Sequence, residues 1–538
     1  MRGPMTEPAG RSELVDAAAR DAAAPRPPDP RYSAYLLGVL VLVTVLNFLD
    51  RNVIAILAED IKADLGISDA QIGFLYGTAF AVFYAVFGIP LGRLADVWVR
   101  RSLIAGGLAV WSALTALSGF ARSPLQLTLA RIGVGIGESS ATPAAYAMLM
   151  DSFPARARAT VLSLYSSGIY LGGGLGLLIG GQVVDRWNRS FPDGGAPLGL
   201  AGWQAAYLAV GLPGILLAVW VRTLREPVRG AIDGIASPPE PHPFRAFARE
   251  LGAVIPPFTL WQLWREGAGV RGVAANLTVA GAIALGVAAL VRSLGSPEQW
   301  ISLGVGVYAA VSWASALRRR DPVTAALLLQ TPSLRWVALG FSMLAFTSYS
   351  LGGWTPAFFV RVHGRPAAEV GTVLGLTSML AGMIGIALGG VLADALHRRR
   401  PTGRLVFGIA AAIAPVPVAL WMLGAERYPL AYAINFPLTL LAPMWIGAGA
   451  STVQDLFLPR MRAVATAAYT LVVTFLGLAL GPWTIGRLSD ALGSLPSAMR
   501  CVLLANAAAV VFLALGLRHL ERDERSLRAR ARAAGEPC

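Results

Sequence analysis

The sequence is poor in the residues from which most soluble proteins build chemical sites. Among 538 residues there are two cysteines, four histidines and one lysine, Lys62. Cys501 lies inside a late apolar run and Cys538 at the end of the chain, which gives neither a disulfide framework nor a metal spacing. Four scattered histidines are too few for a metal cluster or a general-base set. No Ser/His/Asp constellation or phosphate loop is present, so no metal, no cofactor and no enzyme activity is expected. Charge is also scarce, at 14% of residues against about 25% in soluble domains. The formal net charge of +14 invites a nucleic-acid reading, but the positions of the arginines point elsewhere.

Apolar residues make up 55% of the chain, in repeated runs as long as a bilayer core of about 30 Å requires. These runs predict helices near 36–57, 71–92, 102–121, 125–150, 159–184 and 203–222, and a second six near 335–360, 369–393, 404–424, 428–456, 462–486 and 498–517. Between the sets lie a Pro-rich stretch (Ser237–Pro243), an amphipathic piece around Phe244–Trp264, and two more apolar runs at 273–291 and 299–317. These two read as a hairpin, giving fourteen helices, or as a re-entrant pair. The expected organisation is a disordered tail (1–31), a six-helix half (32–225), a central loop with two extra helices (226–334), a second half (335–518) and a tail (519–538). The first tail has no apolar run and reads as a disordered cytoplasmic tail, with no signal peptide expected. The near-exclusive use of arginine fits a GC-rich bacterial genome.

Arginine clusters fall at alternate loops: Arg93, Arg100 and Arg101; Arg156 and Arg158; Arg398, Arg399, Arg400 and Arg404; Arg460 and Arg462. The opposite loops carry isolated residues such as Lys62, Arg122, Arg186, Arg361 and Arg427. This is the positive-inside pattern. It predicts a multi-pass inner-membrane protein with both termini in the cytoplasm, and it accounts for the net charge without nucleic acid.

Two loops are near copies. Gly92–Arg101 and Gly390–Arg399 both read G-x-L-A-D-x-x-x-R-R. Weaker G-x-x-x-D echoes end later helices at Gly181/Asp185 and Gly486/Asp490. Asp151 and Asp455 are each followed seven residues later by an arginine, Arg158 and Arg462. Three-helix units inverted within each half, and halves repeated in parallel, are a known transporter construction. These motifs resemble the major facilitator superfamily over nearly the whole chain except 1–31 and 230–330. The resemblance implies an all-α fold of two six-helix halves and a cytoplasmic ion-pair latch of Asp96, Arg100, Asp394 and Arg398. Arg93, Asp151, Arg158, Asp455 and Arg462 would belong to the same gate. Interfacial pairs are only modestly stabilising, which suits a latch that must open.

Charges inside the apolar runs are rarer. Thr44, Asn47, Asp50 and Arg51 share one face of the first helix. Either this helix ends at Leu49 and the acid–base pair sits at the interface, or the run continues. Val53–Leu57 supports continuation, which places Asp50 roughly 10 Å inside the boundary. A charge at the bilayer centre costs about 2.5–3.5 kcal/mol, so this stripe should face protein or water. The fourth helix reads Arg131-Ile-Gly-Val-Gly-Ile-Gly-Glu138, with its two charges on one face and about 10.5 Å apart along the axis. The glycines leave room for a cavity or a crossing helix. We therefore expect a network of Asp50, Arg51, Arg131 and Glu138. The tenth core helix is neutral, so coupling is expected in the first half and apolar cargo contacts mostly in the second. A carboxylate beside an arginine can hold either protonation state, as a proton-coupled carrier needs; a purely structural ion-pair network would look the same.

The L-N-x-x-D-R of helix 1, the R-x-G-x-G-x-G-E of helix 4, Gly481–Asp490 and Trp354–Gly364 are similar to the spinster-like branch of that superfamily. The resemblance implies a proton-linked or facilitated carrier of lipids, with Asp50 and Glu138 carrying the proton and Arg51 binding the head group. Asn47 and Arg131 lie on the same face. Tyr165, Tyr170, Tyr349 and Trp354 could line an amphiphile's tail or simply pack, and His363 reads as a helix end or as a pH sensor. The expected cargo is an amphiphilic, anionic, lipid-like solute moved by a monomer among membrane lipids. The alternatives are efflux of cationic amphiphiles and carriage of a small organic anion.

Overall fold

A computed structural model describes residues 29–192, 195–230, 232, 241–256 and 258–536. The expected first tail falls outside them except for its last three residues, and so does most of the Pro-rich stretch. The regular structure of the described residues is helical throughout.

Helix α1 (Pro30–Leu65) runs unbroken for 36 residues, about 54 Å at the usual rise. Its start is fixed by Asp29, whose side chain accepts the Arg31 N–H, and by Pro30 in the first turn. Its end is Gly66, with φ of 63° in the left-handed region. The helix therefore does not stop at Leu49, and Asp50 lies deep within it. The first half continues with α2 (Asp69–Val97), α3 (Arg100–Ser118), α4, α5 (Arg158–Ser190) and α6 (Gly202–Arg222). Helix α4 was expected as one piece but has two, Pro124–Glu138 and Ala141–Met150. At the break the Ser139 and Ser140 hydroxyls bond back to the Ile136 and Gly137 carbonyls, competing with the helical ladder.

The central segment forms α7 (Pro243–Val254), α8 (Phe258–Arg265), α9 (Gly269–Leu294), α10 (Pro297–Arg320) and α11 (Pro322–Gln330). The second half comprises α12 (Pro332–His363), α13 (Ala367–Arg399), α14 (Gly403–Gly424), α15 (Tyr428–Asp455, interrupted at 442–444), α16 (Pro459–Leu492) and α17 (Leu495–Arg525), followed by α18 (Leu527–Ala533). Among the described residues, twelve helices are long and apolar enough to cross a membrane, α9 and α10 included. The broken α4 and the Ser/Thr-rich α12 complete two sets of six. Turns of the wider π type interrupt α13 at Ser378–Gly382 and α16 at Thr474–Ala479, as often happens near functional sites.

The hydrogen bonds and ion pairs that join the halves lie toward the face opposite the arginine clusters. Arg361 on α12 reaches Asp69 Oδ2 (2.6 Å) and Glu59 Oε1 (2.6 Å). Asp490 on α16 accepts the Asp69 and Ala70 backbone N–H groups (3.0 and 2.9 Å) at the start of α2, where partial positive charge favours an acid. Deeper in, Gln182 on α5 bonds Thr372 on α13 (3.0 Å). Below these locks the helices meet backbone to backbone: a Cβ on Gly174 or Gly375 would strike the other's chain, a close approach that small residues permit.

The arginine-rich face is organised differently, because its ion pairs stay within one half. Arg100 pairs with Asp151 and with Glu226 (2.8 Å). Its counterpart, Arg404, pairs with Asp455 and with Asp394 (2.9 Å). Arg158 donates to the Met150 and Phe153 carbonyls, and Arg462 to those of Gln454 and Phe457, so both cap the preceding helix. The equivalent of Arg100 is therefore Arg404 and not Arg398, which is exposed. The matched loops carry different spacers before α3 and α14, and this moves the functional arginine six positions along. Asp96 keeps only a 3.9 Å contact with Arg93 and stays largely exposed. The expected latch residues form no pair across the halves in this conformation.

Candidate functional site

Three consecutive residues of α1 point to three different neighbours. Asp50 is buried against α3, where its Oδ2 accepts from the Thr115 hydroxyl (3.3 Å) and its Oδ1 has no partner. Arg51 turns to α4 and bonds Glu138 Oε2 at 2.9 Å. Its guanidinium lies 4.3 Å from the Phe80 ring centre and 5.0 Å from that of Tyr84, so π faces support it where no second anion is present. Asn52 accepts from the Tyr76 hydroxyl on α2 (3.2 Å). Glu138 is fully buried at the end of the first piece of α4, with Oε1 unpartnered. Asn47 adds a long 3.5 Å contact to Arg51.

Arg131 was expected to join the carboxylates. It spends its donors on backbone instead, giving to the carbonyls of Asp50 (3.2 Å), Arg51 (3.4 Å) and Leu75 (3.4 Å). Carbonyl oxygens carry two lone pairs and can accept a second bond inside a helix. The geometry follows from the glycines of α4. Gly135 lies against the Phe80 carbonyl and Gly137 against Trp111, so the room they leave is filled by crossing helices α2 and α3 and not by a cavity. Arg131 thus clamps α1 and α2 together, and Asp50 is left with no ion pair among the described residues. A carboxylate in such a setting is costly in its charged form unless paired.

A cavity of about 340 Å³ lies beside this cluster, between the halves. It falls within the size range of small-molecule sites. Seven of its lining residues come from the first half, Asn52 and Tyr76 among them, and twenty from the second. Tyr349 and Tyr170 line it. Tyr165 is buried edge-on against Tyr146, and Trp354 is buried with its indole N–H donating to the Pro482 carbonyl (2.8 Å); both lie off the cavity. His363 ends α12 among Phe358 and Phe359. Sequence reasoning missed Asn52, Tyr76, Asn435 and Asn506 as lining, because isolated amides in apolar helices carry no motif. It also missed the Arg361–Asp69 lock, whose partners stand 292 residues apart.

The repeat assigns a counterpart to each buried charge. Gly66 and Gly364 end α1 and α12 with the same left-handed turn. Counting back equally from each places Ser348 opposite Asp50 and Tyr349 opposite Arg51. Asp151 and Asp455 likewise place Asn435 opposite Arg131 and Ala442 opposite Glu138. All four counterparts are uncharged, and all four line the cavity.

Comparison with known proteins agrees with this architecture. The family model of the Major Facilitator Superfamily matches residues 40–482. An MFS-type efflux pump of Mycolicibacterium smegmatis is 27% identical over 463 residues, 86% of each chain. Protein spinster homolog 1 of Homo sapiens is 26% identical over 486 residues, 86% of this chain and 74% of that one. A solved bacterial homologue of the human lysosomal transporter Spinster, in an inward-facing and unoccupied conformation, is 24% identical with a TM-score of 0.64, covering 93% of this chain and 99% of that one.

Proposed function

Since the chain belongs to the major facilitator superfamily and is a multi-pass membrane transporter similar to the spinster proteins, we propose that it moves an amphiphilic anion, coupled to protons at Asp50 and Glu138. Arg51 holds the head group when Glu138 is protonated. Deprotonation returns Arg51 to Glu138 and releases the cargo. The observation that carries this reading is the 2.9 Å Arg51–Glu138 pair beside an unpaired, buried Asp50. An arginine with one anionic partner and aromatic faces is ready to exchange that partner for a carboxylate or phosphate. Access alternates as the locks of the far face and the latch of the arginine-rich face take turns. In this scheme the arginine-rich face and both termini are cytoplasmic, the membrane is the inner one, and α9 and α10 span it.

The test is purified protein in liposomes, with proton flux followed on addition of a lysophospholipid under an imposed pH gradient. Cargo-dependent flux is expected. Absence of solute movement under any gradient overturns the reading. A second reading, efflux of cationic amphiphiles, is favoured by the efflux-pump relative and by Asp50, a buried carboxylate with no cation of its own.

A further inference from the structure

The second-half wall of the cavity contains hydrogen-bonding groups that no described residue satisfies. Trp445 is 5% exposed, and its Nε1 has no partner. Asn506 is 3% exposed, and its Oδ1 has no partner. Asn435, 5% exposed, makes no side-chain hydrogen bond to another described residue. Thr439 stands one helical turn further along α15, on the same face. All four line the same cavity, and no Asp, Glu, Lys, Arg or His is among the lining residues. Buried polar groups in proteins are ordinarily paired, and leaving one unpaired costs about 1–3 kcal/mol. An unpartnered indole donor and an unpartnered amide acceptor, both on residues of one cavity wall that also carries the Asn435 amide, describe a ligand that both donates and accepts while bearing no charge.

Resting on the carrier reading for the role of the cavity, we propose that Asn435, Asn506 and Trp445 form a subsite for an uncharged, hydroxyl-bearing part of the cargo. A hydroxyl is the smallest group that can give a proton to the Asn506 oxygen and take one from the Trp445 indole. The cargo is then read in two places by two chemistries: its charged end at Arg51 in the first half, its neutral hydroxyls in the second. The apolar wall around Leu344, Leu438 and Ile446 holds the adjoining chain. A site that hydrogen-bonds a hydroxyl discriminates strongly against analogues lacking it, because its own polar groups are then stranded.

The test uses full-length protein in nanodiscs and two uncharged ligands with the same chain, 1-oleoylglycerol and methyl oleate. We expect the wild type to prefer 1-oleoylglycerol roughly tenfold, the value of one or two neutral hydrogen bonds. Asn506→Leu and Asn435→Leu should each reduce that preference about fivefold while leaving methyl oleate unchanged. The melting temperature of Asn506→Leu should hold or rise, since the substitution removes an unpaired buried acceptor and breaks no bond. Trp445→Phe keeps the ring, drops the N–H, and should act in the same direction if either leucine variant folds poorly. Equal binding of the two ligands by the wild type overturns the proposal, as does an equal loss for both in the variants. The ligand ratio needs no proton gradient and no charge. A preserved ratio with failed liposome transport therefore sinks the carrier reading alone, and a flat ratio with working transport sinks the subsite alone.

Discussion

The two halves repeat each other closely at their arginine-rich ends and diverge in the middle. At the ends, Arg100–Asp151 matches Arg404–Asp455, and Arg158 and Arg462 cap their helices through the same pair of carbonyl positions. At mid-depth, Asp50, Arg51, Arg131 and Glu138 face Ser348, Tyr349, Asn435 and Ala442 across the repeat. The ends hold helices in place, a task both halves share, so the same chemistry serves twice. The middle divides labour. Charges are concentrated on one side, where the proposed mechanism uses them to hold protons and an anion. The other side is left neutral and hollow.

The largest expected effect comes from removing that concentration. Glu138→Gln should lower gradient-driven transport roughly a hundredfold, the weight of a broken buried charge pair of about 3 kcal/mol, and Asp50→Asn should lower it too by replacing the unpaired carboxylate with an amide that exchanges no proton. Downhill exchange of cargo between loaded liposomes should continue, and loss of exchange as well would show that the charges only support the fold. Arg51→Gln comes next. It should abolish transport of an anionic amphiphile, whereas cation efflux that persists or improves would transfer the function to the second reading. Third, Arg361→Ala frees the far-face lock and should raise labelling of Thr355→Cys by an impermeant maleimide about fivefold, in a background with Cys501 and Cys538 replaced by serine. Unchanged labelling would mean that the backbone seams alone keep that face shut. The smallest effects test the repeat itself. Arg100→Ala should lower the melting temperature more than Arg404→Ala, because Arg100 is more deeply buried and also holds the Pro227 carbonyl, while Arg398→Ala should leave it unchanged.

Much of this was legible in the sequence. The two sets of six helices and the paired loops follow from apolar run length and motif copies, which are local signals. The structure puts the buried ion pair in the first half and most of the cavity lining in the second, and that lining mixes apolar side chains with hydroxyls and amides. What escaped was direction. Thr44, Asn47, Asp50 and Arg51 were assigned to one face, yet a helical step of about 100° per residue is enough to send Asp50 to Thr115, Arg51 to Glu138 and Asn52 to Tyr76. Arg131 was given to the carboxylates because opposite charges attract; the carbonyls it holds carry no sequence signature. The shift from Arg398 to Arg404 was hidden by a loop motif that is copied in letters but not in spacing.

The fan of Asp50, Arg51 and Asn52 on one continuous helix has a mechanical corollary. The proposed proton site, the proposed anion site and the cavity wall are fixed to a single shaft, clamped by Arg131 at the carbonyls of Asp50 and Arg51. A modest roll of that shaft about its own axis turns all three side chains in the same instant. Under the proposed coupling, loading the cargo and trading the proton then need no relay between them: they are two cams on one axle.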